Sequence, residues 1–310
     1  MAYKQSSSLL NPYHIKHVIE TPTRIAHYAP NDQQGYAAQI AKKLVDISEC
    51  LWSYYYKLDS FLDSSAHSSF TEPDSLIAAE KMILDKIDGL PDEYREEMLD
   101  NHTQFKNIFI KRSLRERGVP GQLNELTLLN LPLLGVFFGS KGDLLAIPTL
   151  IALKHSGLSK EIITFCSRYM RYFVRVRAII DDIKDWKNDL QQGHLTCIHV
   201  QCIKILSHTE RGRTTHLCFN LKDDAQIIKE TIHQKVIPRL IDEIIHTHSE
   251  YMEEIKIDKF SSDDIGRIQT ILSPAFHYLE NLSEKYELYY QSKLPTEVNI
   301  DSGVKVCYSV

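Results

Sequence analysis

The stretch SKEIITFCSRYMRYFVRVRAIIDDIKDWKNDLQQG, residues 159–193, decides the fold. Apolar residues recur through it at three- and four-residue intervals, which predicts one long helix over 159–191. Its second half carries Asp181, Asp182, Asp185 and Asp189, and Asp181, Asp185 and Asp189 step by four. Side chains four apart share a helical face, so three carboxylates line one stripe. Ile179, Ile180, Ile183, Trp186 and Leu190 sit among them. A helix with that much apolar surface is packed against something while its acids gather in one place, unlike a solvated acidic tail.

Working outward, residues 36–63 set Ile40, Leu44, Ile47, Leu51, Tyr55, Leu58 and Leu62 at helical spacing, with SSAHSS as the end of the segment. Similar periodicity predicts helices near 73–88, 92–116, 123–138, 142–155, 222–257 and 263–292, with Gly118, Pro120, Gly121, Gly139, Gly142 and Gly157 at the breaks. Sustained strand alternation is hard to find, and the chain holds only 12 glycines for turns. The fold class is therefore all-α: a single bundle of eight or more helices. No fixed-period repeat or low-complexity linker divides it, so the expected organisation is an irregular segment over 1–30, one domain over 31–294 and a polar tail over 295–310.

The 310 residues are 43% hydrophobic and 25% charged, enough apolar material for a large core, which excludes a disordered or fibrous chain. A net charge of -5 argues against nucleic acid or anionic membranes as general partners. The longest apolar runs, 126–139 and 144–153, are broken by proline and are too short to span a bilayer, so they predict buried core helices. Six scattered cysteines and an N-terminus without a signal-type apolar run predict a reducing, cytoplasmic setting with free thiols. Cys307 opens a four-residue end that fits a prenylation box only formally, because Val310 is not a usual last residue and no polybasic segment precedes it.

A second acidic pair stands at Asp59 and Asp63, four apart near the end of the 36–63 helix. Like charges at this spacing repel, and a helix C-terminus is already partly negative, so the pair asks for solvent or a cation. Mg²⁺ takes oxygen ligands and keeps several waters, with a few carboxylates and substrate phosphates completing its shell. Two acidic helices thus suit a metal and diphosphate clamp, in which metals neutralise charge developing on a leaving group. Arg168, Arg171, Arg175 and Arg177 lie just upstream of the second cluster and offer bidentate phosphate contacts. Arg177 and Lys184 equally fit as plain pairing partners of the neighbouring carboxylates. Trp52, Tyr55 and Tyr56 stand seven, four and three residues before Asp59, where aromatic faces stabilise a cation by roughly 0.5 to 2 kcal/mol each, or serve as ordinary core. Cys197, His199 and Cys202, with His194 nearby, suggest zinc, but no second pair or finger spacing accompanies them.

These motifs together resemble the class I isoprenoid synthase superfamily, the helical enzymes that include squalene and phytoene synthases, chain-elongating prenyl diphosphate synthases and class I terpene cyclases. DSFLD at 59–63 resembles the first aspartate-rich motif and DDIKDWKNDLQQG at 181–193 the second. Their separation of about 120 residues, and Gly193 after Asp189, are similar to the squalene and phytoene branch, while the three-step ladder is similar to the second metal triad of terpene cyclases. The resemblance implies Mg²⁺ held by Asp59, Asp63, Asp181, Asp185 and Asp189, with Asp182 as a further ligand or a support. It implies a prenyl diphosphate substrate around a central apolar cavity, contacted by Arg175, Arg177, Lys184, Trp52, Tyr55 and Tyr56. Dimers are common in the superfamily, so a homodimer is part of the expectation. Trp52 and Tyr56 stand where head-to-head synthases carry Tyr and Arg, and the fuller first motif of the elongating enzymes is missing. The reaction expected is therefore ionisation of a linear prenyl diphosphate followed by cyclisation or rearrangement. Head-to-head prenyl transfer is the near alternative, a helical metal-dependent nucleotide pyrophosphatase a further one, and a non-catalytic helical binding protein the last.

Overall fold

The computed structural model describes residues 19–64, 74–116, 143–191, 196–207, 216–220, 225–257, 259–282 and 305–309. The predicted helix at 123–138 and apolar run at 126–139, Gly193, His194 and the side chains of Asp63 and Cys307 lie outside the described residues. The chain is all-α, as its periodicity predicts. Its elements are α1 (Thr21–Ala26), α2 (Gln34–Ser64), α3 (Asp74–Asp88), α4 (Asp92–Glu116), α5 (Asp143–Lys154), α6 (Lys160–Gln191), α7 (Cys197–Ser207), β1 (His216–Asn220), α8 (Ala225–Thr231), a π turn (Ile232–Val236), α9 (Ile237–Lys256), α10 (Ser262–Glu280) and β2 (Lys305–Ser309). Two differences from expectation are local. The first 30 residues include the short helix α1, with Pro22 in its first turn where a missing N–H costs nothing. The sequence's strand-free reading is broken by β1 and β2, which pair antiparallel with His216 opposite Ser309; five residues are too few to show alternation.

The chain divides into two compact units. The first comprises residues up to Asn107, Gly142–Val174 and Tyr251–Glu280. In it α2 packs on α1, α3 and α5, and α1 also meets α5 and α10. Ile40, Leu44, Ile47, Leu51, Leu58 and Leu62 form the buried stripe of α2, as spaced in the sequence. Tyr54, not the expected Tyr55, fills the place between Leu51 and Leu58 and is fully buried, whereas Tyr55 is half-buried. Helix α5 is apolar nearly all round, burying Leu145, Ala146, Ile147, Ile151, Ala152 and Leu153, as a central core helix must. It closes at Gly157, whose φ of 71° is the left-handed conformation that terminates helices. There Ser156 Oγ donates to the Leu153 carbonyl at 2.7 Å and accepts the Leu158 N–H at 3.2 Å. An aromatic cluster completes the core: Tyr169 meets Phe276 at 4.7 Å and Tyr251 at 5.2 Å between ring centroids, both edge-on.

The second unit comprises Ile108–Lys141, Arg175–Glu250 and Asn281–Val310. Here α7, α8 and the π turn pack together, and β1 pairs with β2. Ile228, Ile232, Val236, Leu240 and Ile244 are buried at a stride of four. A stride of four drifts about 40° per step around an ideal helix, and the wider π turn at Ile232–Val236 takes out part of that drift.

Candidate functional site

Each acidic cluster is described within its own unit. In the first, Trp52, Tyr56 and Asp59 follow one another at intervals of four and three, so they form one stripe along the last turns of α2. Trp52 is buried and its Nε1 has no hydrogen-bond partner among the described residues, Asp59 is half-buried, and Tyr56 is 40% exposed. The aromatic rings touch in sequence, Trp52 with Tyr56 at 6.1 Å and Tyr56 with Tyr55 edge-on at 6.0 Å. An aromatic surface therefore runs up the same helical stripe toward Asp59.

Around Tyr54, on the same helix, lies a partly buried polar network which sequence reading passed over. Lys106 Nζ donates to both carboxylate oxygens of Glu80 at 2.6 Å, and the ammonium also stands 5.9 Å from the centre of the Tyr54 ring. His102 lies edge-on to Tyr54, with its Nε2 3.7 Å from Glu80, too long for a hydrogen bond. Burial pushes the His102 imidazole below its usual proton affinity, against the pull of Glu80.

In the second unit, α6 holds the acidic ladder between apolar faces: Ile179, Ile180, Ile183, Trp186 and Leu190 are all buried. Asp181 and Asp185 are exposed, Asp182 and Asp189 are half-buried, Arg177 is buried, and Arg175 and Lys184 are half-buried. Asp182 does not join the exposed pair. Its Oδ2 accepts the thiol proton of Cys197 on α7 at 3.3 Å, which makes it a packing and support group.

The electrostatics of the ladder are uneven. Burial lowers Lys184 to about 8, although Asp181 and Asp185 both pull it upward and Arg177 pushes it further down. Asp185 is raised above the ordinary carboxylate range, chiefly by burial, with Lys184 opposing. Its side chain is nonetheless exposed, so solvent or a cation can reach the carboxylate.

What the ladder can hold follows from helix geometry. Each step of four spans about 6 Å along the axis, so one cation can bridge Asp181 and Asp185, or Asp185 and Asp189, but not all three. Among the described residues no group of three His, Cys, Asp or Glu side chains is gathered for a metal ion. Oxygen donors in pairs fit a hard cation whose remaining ligands are water and phosphate oxygens, and fit a dedicated all-protein cage poorly.

The cysteine and histidine cluster has another role. Cys197 is bonded to Asp182, and Cys202 points its thiol at the Ile228 carbonyl, 3.9 Å away, with burial pushing that thiol up to about 12. His199 uses both ring nitrogens: Nδ1 accepts the Thr196 N–H at 3.1 Å and Nε2 donates to the Trp186 carbonyl at 2.8 Å. These groups pack α7 against α6. The one sequence signal for this was Thr196, three residues before His199, the spacing of a helix-capping box.

No family model, curated protein or solved structure matches this chain. The class the fold defines is an all-α protein, and among the described residues no helix is long and apolar enough to cross a membrane.

Proposed function

We propose that this protein is a Mg²⁺-dependent terpenoid synthase of the class I kind, which ionises a linear prenyl diphosphate, releases diphosphate and guides the cation to a cyclic or rearranged product. The observation that carries the reading is the carboxylate ladder of α6: Asp181 and Asp185 are exposed one turn apart, with the half-buried Lys184 between them and the buried Arg177 one turn before, on a helix whose Ile179, Ile180, Ile183, Trp186 and Leu190 are buried. The donor set suits Mg²⁺, which when bound supplies the charge that stabilises departing diphosphate. Asp185 with either Asp181 or Asp189 would hold a metal ion on α6, and Asp59 with Asp63 would hold one on α2. Lys184 and Arg177 would take phosphate oxygens, a role that buried or half-buried cations beside paired acids are suited to. The aromatic stripe of Trp52, Tyr55 and Tyr56 would face positive charge on the hydrocarbon.

Head-to-head prenyl transfer is the second reading, favoured by the interval between the two motifs and by Gly193. Incubation with Mg²⁺ and C10, C15 or C20 prenyl diphosphates tests both. Diphosphate release with a product of the substrate's own carbon number supports the cyclase. A product of twice that number replaces it with the transferase. Hydrolysis of nucleoside triphosphates with no action on prenyl diphosphates would overturn both in favour of a pyrophosphatase.

A further inference from the structure

Trp186 is held from two sides, and neither contact was visible in the sequence. It follows Asp185 directly and lies one helical turn from both Asp182 and Asp189. Its carbonyl receives the Nε2 proton of His199, a residue only 2% exposed. Its ring, itself buried, meets the His233 ring edge-on at 5.5 Å and 79°.

His199 is suited to this by its place in α7. Thr196 caps that helix, and the third helical residue of a capping box ordinarily reaches back to the N–H of the cap with a carboxylate or amide. Here the imidazole does so, since Nδ1 accepts the Thr196 N–H at 3.1 Å. That bond assigns the remaining proton to Nε2, the atom which donates to Trp186 at 2.8 Å. The receiving carbonyl is not an orphan of the helix end, because Leu190 lies four residues on within the same helix. The bond therefore fixes where this turn of α6 sits more than it satisfies a bare carbonyl.

His233 reaches Trp186 from the π turn at Ile232–Val236. Such turns inside α-helices are rare and recur at functional sites. One turn earlier, Cys197 donates to Asp182. The side of α6 behind the ladder is thus gripped at Asp182 and at Trp186 by α7, and at Trp186 by the π turn.

We propose that His199 and His233 are positioning residues: by clamping Trp186 they fix the place and rotation of the α6 turn that presents Asp185 and Asp189 to a metal–diphosphate pair. The inference rests on the functional reading above and deepens it, since groups standing behind ligating carboxylates typically change metal affinity about 10- to 100-fold when removed.

The test uses the full chain and Mg²⁺ with inorganic diphosphate as the probe, measured by calorimetry. His199→Asn keeps an acceptor near the Thr196 N–H but is too short to reach the Trp186 carbonyl. His233→Leu keeps an apolar group without the aromatic edge, at a half-buried position that tolerates change. The clamp itself is read separately from Trp186 emission in a Trp52→Phe background, where Trp186 is the remaining tryptophan. The expected result is binding by the unmodified chain, weakened about ten-fold or more in both histidine variants. Red-shifted Trp186 emission is expected with it, along with a thermal midpoint lowered by a few degrees in His199→Asn, whose ring is buried, and nearly unchanged in His233→Leu. Unchanged emission overturns the clamp. Altered emission with unchanged binding overturns its positioning role. Failure of the unmodified chain to bind magnesium and diphosphate, with Trp186 emission still sensitive to His199, overturns the functional reading and leaves the clamp a purely structural contact.

Discussion

Replacing Lys106 with methionine should destabilise the first unit in a way that depends on pH. The ammonium donates to both oxygens of Glu80 at 2.6 Å, and the two side chains are 20% and 21% exposed. Hydrogen bonds to charged groups at that degree of burial contribute about 2 kcal/mol, since the remaining carboxylate keeps its desolvation without its partner. For a chain of this size that corresponds to a drop of about 3 °C in Tm. His102 supplies the second half of the prediction. Its proton affinity is lowered first by burial and then by Lys106, while Glu80 raises it. A base that resists protonation in the fold loses stability for the protein as pH falls below its unfolded value of 6.5, because the unfolded chain takes up the proton first. Without Lys106 the opposing charge is gone, Glu80 remains, and His102 accepts a proton more readily. The Tm gap between wild type and Lys106→Met should therefore be largest near pH 8 and shrink toward pH 5, measured by thermal denaturation across that range. A gap that is constant or widens on acidification would refute the assignment of these three groups to one network, as would a loss below about 0.5 kcal/mol.

Three further outcomes are expected. Gly157→Ala should lower stability by about 1 kcal/mol, read from denaturant midpoints, because alanine is strained at a φ of 71° whatever the space around it. Cys166 and Cys202, both buried and pushed up to about 12, should stay unmodified by iodoacetamide at pH 8 in the folded protein and react on unfolding, while the half-buried Cys50 reacts first. Asp185→Asn, at an exposed position, should leave the Tm in chelator nearly unchanged and should abolish any Tm gain from Mg²⁺ and diphosphate added together.

The helices with strong periodic contrast were legible in the sequence. The helix expected over 159–191 is Lys160–Gln191, that over 36–63 is Gln34–Ser64, and that over 92–116 is Asp92–Glu116. Helix α7 was missed because Cys197–Ser207, CIHVQCIKILS, is a short and mostly apolar run, which periodicity alone does not separate from a buried strand. The π turn was missed for a related reason: a stride of four fits an α-helix over two turns and departs from it only over five. Tyr54 and Tyr55 are chemically alike, so pattern alone placed the wrong one in the core stripe; the preference is set by the packing of Tyr54 on His102. For the candidate site, the stripes of acids and aromatics on α2 and α6 follow directly from residue spacing. The groups behind them do not, because His199, His233 and Cys197 meet α6 only through tertiary packing, which residue spacing along one helix does not encode.

The most direct test of the account is turnover of prenyl diphosphates of ten, fifteen and twenty carbons by the full chain with Mg²⁺, beside Asp59→Ala and Asp185→Ala variants that have been shown to be folded. The account predicts released diphosphate and a hydrocarbon or alcohol product of the substrate's own carbon number from the wild type, lost in chelator and in both variants. Product formation that survives Asp185→Ala, or a folded wild-type chain that binds Mg²⁺ and turns over none of the three substrates, would contradict it.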